Sequence, residues 1–315
     1  MTFGNNYFFY CFTESMSEIV EGVYGQRSAQ LLYGVFTTPI NSIGGSAVCA
    51  FSMQSVLDTF EGPFKEQETM NSNWLPVPIP KVPEPRPGQC VNDSRTLPDV
   101  SVNFVKSHTL MDYAVPAFFS RPVLIRISSQ YRFTMIAVDP QVQTPDGRAY
   151  DVLFIGTDDG KVVKAVNAAS FDADNKVQSV VIEEIQVLPP GVPIKNLYVS
   201  HGKLIVLSDD EIQSISLHRC NTEKFTSCRY VNKKNDFFFH FNFYELILRN
   251  FFCSECVALQ DPYCAWDTTQ KRCVSSGPNG WDPDKRRFLQ SISKGSSKAC
   301  PHAGTFKMKL KTLIS

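Results

Sequence analysis

Asp261-Pro262-Tyr263-Cys264-Ala265-Trp266-Asp267 lies inside Cys220 to Cys300, the densest cluster of cysteines in this 315-residue chain. Seven of the ten cysteines fall there: Cys220, Cys228, Cys253, Cys256, Cys264, Cys273 and Cys300. A segment this short buries little core, so covalent or metal cross-links are expected to hold it. Two readings compete. Cys253-x-x-Cys256, followed by Cys264 and Cys273, offers thiolates to a tetrahedral zinc ion. Alternatively, the cysteines are disulfides of a small extracellular module. Zinc ligands usually come as two tight pairs, and only one tight pair is present. Spacings of eight and nine residues after Cys256 suit cross-links between loops. Spacing favours disulfides and leaves zinc open.

The residues then add a resemblance. Cys220, Cys228, Cys256, DPYCAWD, Cys273 and Ala299-Cys300-Pro301 resemble the cysteine-rich PSI module shared by plexins, semaphorins and integrins. With Leu217-His218-Arg219-Cys220 ahead of it, DPYCAWD resembles semaphorins most. The resemblance implies the pairs Cys220–Cys264, Cys228–Cys300 and Cys256–Cys273, with Trp266 packed on the sulfurs. A native disulfide in a small domain is worth about 2–5 kcal/mol.

Upstream, composition excludes little. The chain is 43% hydrophobic, enough for a sizeable core and about two domains. Lys plus Arg equals Asp plus Glu at 31 each, so charge makes no case for nucleic acid or an anionic membrane. No apolar run is long enough to cross a bilayer. Met1 to Thr13 lacks the basic start and cleavage site of a signal peptide, which conflicts with a disulfide-bonded module.

Leu31 to Thr38 and Ser46 to Phe51 are β-prone runs around the turn Asn41-Ser42-Ile43-Gly44-Gly45. Met53, Val56, Leu57 and Phe60 recur at helical spacing and predict an amphipathic helix ended by Gly62. Six prolines between Pro76 and Pro87 predict extended backbone, read as a stiff crossing loop ahead of an SH3-type ligand. Asn92-Asp93-Ser94 is the only N-x-S/T sequon and makes Asn92 a glycosylation candidate in a secreted chain. Asp151 to Thr157, Lys161 to Val166, Asn196 to Val199, Lys203 to Leu207 and Glu211 to Leu217 read as antiparallel meanders with Gly-containing turns. Their repetition suits propeller blades. Asp158, Asp159, Asp209 and Asp210 read as turn formers ahead of calcium ligands.

The resemblance extends from about Met16 to Pro301. IVEGVYGQ, LLYGVFTTPINSIGGSAVCAF, FEGPFKEQETMNSNWLPVP and FIGTDDGKVVKAV are similar to the C-terminal part of a semaphorin sema domain, with an invertebrate transmembrane flavour. The fold implied is mainly β. It is a partial seven-bladed β-propeller of about the last three blades, with a helical insertion, followed by the PSI module. The expected organisation is a non-native leader at 1–15, sema blades at 16–219, the PSI module at 220–301 and a non-native tail at 302–315. Family counterparts of Cys49 and Cys90 bond to upstream cysteines, so both are expected to be orphaned here or forced onto each other.

Residues 230–254 interrupt the pattern. Removing them joins Cys228-Arg229 to Glu255-Cys256 and yields SCRECVALQDPYCAWD. Arg229-Tyr230-Val231 can be encoded as a splice donor, and Phe251-Phe252-Cys253-Ser254 as a pyrimidine tract with an acceptor. The segment therefore reads as a retained intron, with Cys253 and Cys11 surplus. Sequencing the message across this junction tests that reading.

No catalytic or cofactor motif is present. His108, His201, His218, His240 and His302 are scattered, and no phosphate-cradling loop appears. The resemblance implies an extracellular or plasma-membrane axon-guidance ligand. It would dimerise through its propeller and bind a plexin ectodomain, with no enzyme activity, small-molecule substrate, cofactor or metal. Its main receptor surface would lie on earlier blades, outside these residues. Two alternatives are a plexin- or integrin-like receptor ectodomain fragment and an intracellular zinc-binding scaffold.

Overall fold

The computed structural model describes residues 12–172, 176–220, 253–277 and 280–300. A first sheet begins with β1 (Phe12–Met16), β2 (Val20–Tyr24), β3 (Arg27–Thr37) and β4 (Gly45–Ser52). The long β3 is its spine: β1 and β2 pair antiparallel along one side and β4 along the other. Residues 12–15, assigned above to a leader, thus belong to a strand, and the sheet begins before that boundary.

Helix α1 (Met53–Phe60) follows, with Ser52 accepting the Ser55 amide as its N-cap. The expected apolar stripe is only partly used. Val56 packs with Phe36, Phe51 and Val115, whereas Leu57 and Phe60 stay 47% and 48% exposed. A side unit comes next, made of β5 (Phe64–Glu66), β6 (Leu75–Pro76), α2 (Asp99–Ser107) and β7 (Leu110–Met111). It closes over Phe64, Val77, Phe104 and Met111. The proline run crosses it as irregular backbone with a 3-10 turn at Ile79–Lys81. Strand β8 (Leu124–Ile127) then returns to the first sheet beside β4.

A second sheet is a plain meander of β9 (Phe133–Gln143), β10 (Ala149–Thr157), β11 (Lys161–Asn167) and β12 (Ser179–Gln186). The turn between β10 and β11 needs glycine. Gly160 has φ +71°, and a Cβ there would meet the Leu188 and Pro189 carbonyl oxygens at 2.8 and 2.9 Å. Asp158 accepts the Arg132 amide, and Asp159 accepts the Gly191 amide and pairs with Lys161 at 2.8 Å. These acids build the turn.

The third sheet holds β13 (Asn196–Ser200), β14 (Lys203–Leu207) and β15 (Ile212–Ser216). His201 and Gly202, both at positive φ, make the first turn. Asp209 reaches Lys195 at 3.5 Å, and the Asp210 amide donates to Ser208.

Alternation along β10 explains how the sheets stack. Leu153 and Ile155 face the first sheet and share a core with Leu31, Val35 and Val48. Val152 and Phe154 face the opposite way, toward Leu197, Leu204 and Val206 of the third sheet. A strand buried on both faces reads as a continuous apolar run, as Val152 to Ile155 does. The three sheets are therefore layered face to face in chain order, as in a propeller.

Candidate functional site: the cystine module and its seat

The module contains α3 (Cys253–Ala258), β16 (Cys264–Asp267), β17 (Arg272–Ser275) and β18 (Phe288–Leu289), with β16 central in its sheet. Three disulfides hold it. Cys220 pairs with Cys264, Cys256 with Cys273 and Cys253 with Cys300, at Cα separations of 5.4, 5.6 and 5.5 Å. All six cysteines and Trp266 are buried in one core that continues into the second and third sheets.

One expected pair is corrected. Cys300 bonds Cys253, so the Cys228–Cys300 bond does not form and Cys253 is not surplus. The reason is local. Cys253 stands one helical turn ahead of Cys256 on α3, and Val257 joins both cysteines in the same core. Cys228 and Cys11 lie outside the described residues. Cys49, half-buried on β4, and Cys90, exposed after the proline run, do not bond each other.

The DPYCAWD stretch attaches this module to the second sheet. Lys164 on β11 is fully buried, and its Nζ lies 2.6 Å from Asp261 Oδ2. The same ammonium sits 4.6 Å from the centre of the Tyr263 ring. Tyr263 in turn donates its hydroxyl to Asp139 on β9. Asp261 also organises its own turn, accepting the Tyr263 amide on Oδ1 and the Cys264 amide on its carbonyl oxygen. Gln290 donates to the carbonyl oxygens of Asp261, Pro262 and Cys264. Farther along, Ile292 packs with Tyr150, Val166 and Ala168, and Trp281 donates to the Gln143 carbonyl. Arg219, next to Cys220, pairs with Glu183 on β12 at 2.5 Å.

Electrostatics follow from this burial. Asp267 is 1% exposed; desolvation would raise its carboxyl, but Arg287 and the Thr269 and Gln270 amides hold it below the ordinary value. Burial pushes the Asp139 carboxyl up, opposed by the Tyr263 hydroxyl and Lys164. Burial also lowers His218.

Tyrosines give a pH prediction. Burial, reinforced by a nearby carboxylate, raises Tyr24, Tyr33 and Tyr263, and Tyr131 is pushed up to about 12 by burial and Glu184. Unfolded phenols release their protons near pH 10.0 while the folded ones keep theirs. Their contribution is complete below pH 10 and is lost as pH rises beyond it, by roughly 1.4 kcal/mol per tyrosine per pH unit. Denaturant titrations across this range, with thiols blocked, should show stability falling steeply. A flat profile would contradict the buried-phenol assignment.

Sequence reasoning found the cysteines and Trp266 but missed Lys164. The signal was present: a lone cation in Val162-Val163-Lys164-Ala165-Val166 must find a buried partner if that strand is covered on both faces.

Family comparisons agree with this architecture. The Sema domain model matches residues 16–201, and the plexin-repeat (PSI) model matches residues 252–301. The chain belongs to the semaphorin family. Semaphorin-1A of Schistocerca americana is 64% identical over 302 residues, covering 94% of this chain and 38% of that protein. The solved extracellular domains 1–2 of Drosophila Semaphorin 1a share 51% identity with a TM-score of 0.75, over 95% of this chain and 55% of theirs. A chain in the structure of Drosophila Plexin A in complex with Semaphorin 1b matches at 40% identity and TM-score 0.72, over 92% of this chain and 52% of that one. The semaphorin chain described here spans about a third to two-fifths of the curated relatives it matches.

Proposed function

We propose that this chain is part of an extracellular semaphorin ligand that engages a plexin ectodomain as a dimer and steers growing axons. The observation that carries the reading is the order of its two units. A sema match at 16–201 is followed by a PSI match at 252–301, and a chain in the solved structure of Drosophila Plexin A in complex with Semaphorin 1b is similar along 92% of these residues. Such a ligand does no chemistry. A two-fold ligand imposes two-fold clustering on its receptor.

In this reading the three layered sheets are the last blades of a seven-bladed propeller. Strand β15 edges a three-stranded sheet and leaves Ile212 72% exposed. A further strand from a complete semaphorin would pair there and remove the open edge. Cys90, exposed in this structure, would likewise find a partner in an earlier blade. The exposed Asn92 would carry an N-linked glycan. The protein would act outside the cell or at the plasma membrane. Among the described residues, no helix is long and apolar enough to cross a membrane.

Binding to immobilised plexin ectodomains tests the reading. The extracellular region encoded by the complete message is expected to bind a plexin, and the 315 residues alone to bind weakly or not at all. A complete region that binds no plexin would overturn the proposal. Normal affinity in the 315-residue chain would overturn the placement of the receptor surface on earlier blades.

A further inference from the structure

Lys285-Arg286-Arg287 is the one run of three basic residues among the described residues, and it takes no part in the seat of the module. It forms a 3-10 turn directly before β18. A chain outside the cell meets serine proteases whose acidic pockets take paired basic side chains and cut on their carboxyl side. We propose that the Arg287–Phe288 bond is a processing site for a protease of this class, kept shut while β18 is paired with β16.

The groups that such a protease must engage are already taken. The Arg287 guanidinium donates to Asp267 Oδ2 from Nε and Nη2, at 3.0 and 2.8 Å, and to Asp282 Oδ2 from Nη1 at 2.7 Å. Two aspartates thus hold it as an acidic specificity pocket would. The Arg287 carbonyl, the group to be attacked, accepts the Thr268 amide at 2.9 Å and the Thr268 hydroxyl at 2.8 Å. The backbone is turned rather than extended, and the Arg287 amide donates to the Asp284 carbonyl. Phe288, on the leaving side, sits opposite Asp267 and meets Trp281 edge-on, with ring centres 5.0 Å apart. Arg286, by contrast, has a 97% exposed side chain, with Asp284 4.0 Å away.

The lock can open locally. β18 is a two-residue strand at the edge of its sheet, and such segments open at the low end of the stability range. No cysteine lies between Cys273 and Cys300, so peeling β18 breaks no covalent bond. The other adjacent basic pair among the described residues, Lys271-Arg272, lies in a hairpin pinned by the Cys264 and Cys273 disulfides.

Hydrolysis adds one water across the bond. The protease serine attacks the Arg287 carbonyl carbon, the Phe288 nitrogen leaves with a proton, and water frees the Arg287 carboxylate. Of the three disulfides only Cys253–Cys300 spans the cut, so the piece that starts at Phe288 stays attached until that bond is reduced.

The test exposes the purified 315-residue chain, its disulfides mapped, to a subtilisin-like protease specific for paired basic residues and follows the new Phe288 amino terminus. The assay needs no plexin, so its outcome is independent of the receptor reading. The unaltered chain is expected to be cut slowly, into two pieces that part only on a reducing gel. Asp282→Ala removes one partly exposed contact and should speed the cut about fivefold. Asp267→Asn weakens a carboxylate that is buried and should speed it about tenfold or more. Asp282→Ala alone decides if Asp267→Asn disturbs the disulfide map. Arg286→Ala touches none of the lock and should suppress the cut in every background. Three results would overturn the proposal: a Phe288 terminus released from the unaltered chain as fast as from Asp282→Ala, no Phe288 terminus from Asp282→Ala, or release that Arg286→Ala leaves unchanged.

Discussion

Replacing Asp151 by alanine should cost about 4 kcal/mol, because its carboxylate accepts four hydrogen bonds, two of them buried and two part-buried. Oδ2 accepts the Tyr24 hydroxyl at 2.5 Å and the Tyr33 hydroxyl at 2.7 Å. Oδ1 accepts the Gln141 amide and its Nε2 at 3.0 and 2.9 Å. The site exists because β9 bulges there. The β9–β10 register skips between Tyr150 and Val152, which lets Pro140 sit in a strand without a ladder hydrogen bond to donate. Gln141, at φ 48°, turns both donors onto Asp151. Its side-chain oxygen also accepts the Val23 amide, so it bridges the first and second sheets. Gly22 permits this approach, since a Cβ there would lie 2.4 Å from Gln141 Nε2. Without the carboxylate, two buried tyrosine hydroxyls and two part-buried Gln141 donors lose their acceptor. Asp151→Asn keeps the shape and an acceptor, so its cost should be clearly smaller. Chemical denaturation of both variants checks this, and equal costs would contradict it.

Lys164→Met carries the second large effect. Both partners of the Lys164–Asp261 pair are buried, with side-chain exposures of 1% and 5%. Removing one partner of a buried pair leaves an uncompensated charge and costs about 3–5 kcal/mol. The loss should appear where the module meets the second sheet, as faster hydrogen exchange in β11 and β16. Asp261→Ala should cost a similar amount, and the double variant much less than the sum, because both changes break one interaction. Additive losses, or a Lys164→Met loss below about 1 kcal/mol, would show that the pair does not hold the seat.

These two clusters mark the edge of what is readable in the sequence. The strands, their turns and α1 follow from alternation, Gly160 and Gly202, and helical spacing, so the layered β architecture was legible. The cystine module was legible from cysteine density and DPYCAWD. What escaped depends on partners distant in the chain. Asp151 looked like the polar start of a strand, and Tyr24 and Tyr33 like ordinary β formers. Nothing local says that all three converge with Gln141. Lys164 was the readable exception, a cation inside an apolar run. The Cys300 partner was misassigned for a different reason. Cys253 stands three residues ahead of Cys256, and the family pattern, read with 230–254 removed, puts Cys228 in that place. The exposed Leu57 and Phe60 show the same limit: periodicity gives a helix, but not how much of its apolar face is covered.

A cystine-built module is fixed to the second sheet, and its disulfides can be read directly. A non-reduced peptide map of the secreted chain should recover Cys220–Cys264, Cys253–Cys300 and Cys256–Cys273. Recovery of those cysteines as thiols with bound zinc, or of Cys228 joined to Cys300 in the intact chain, would contradict it.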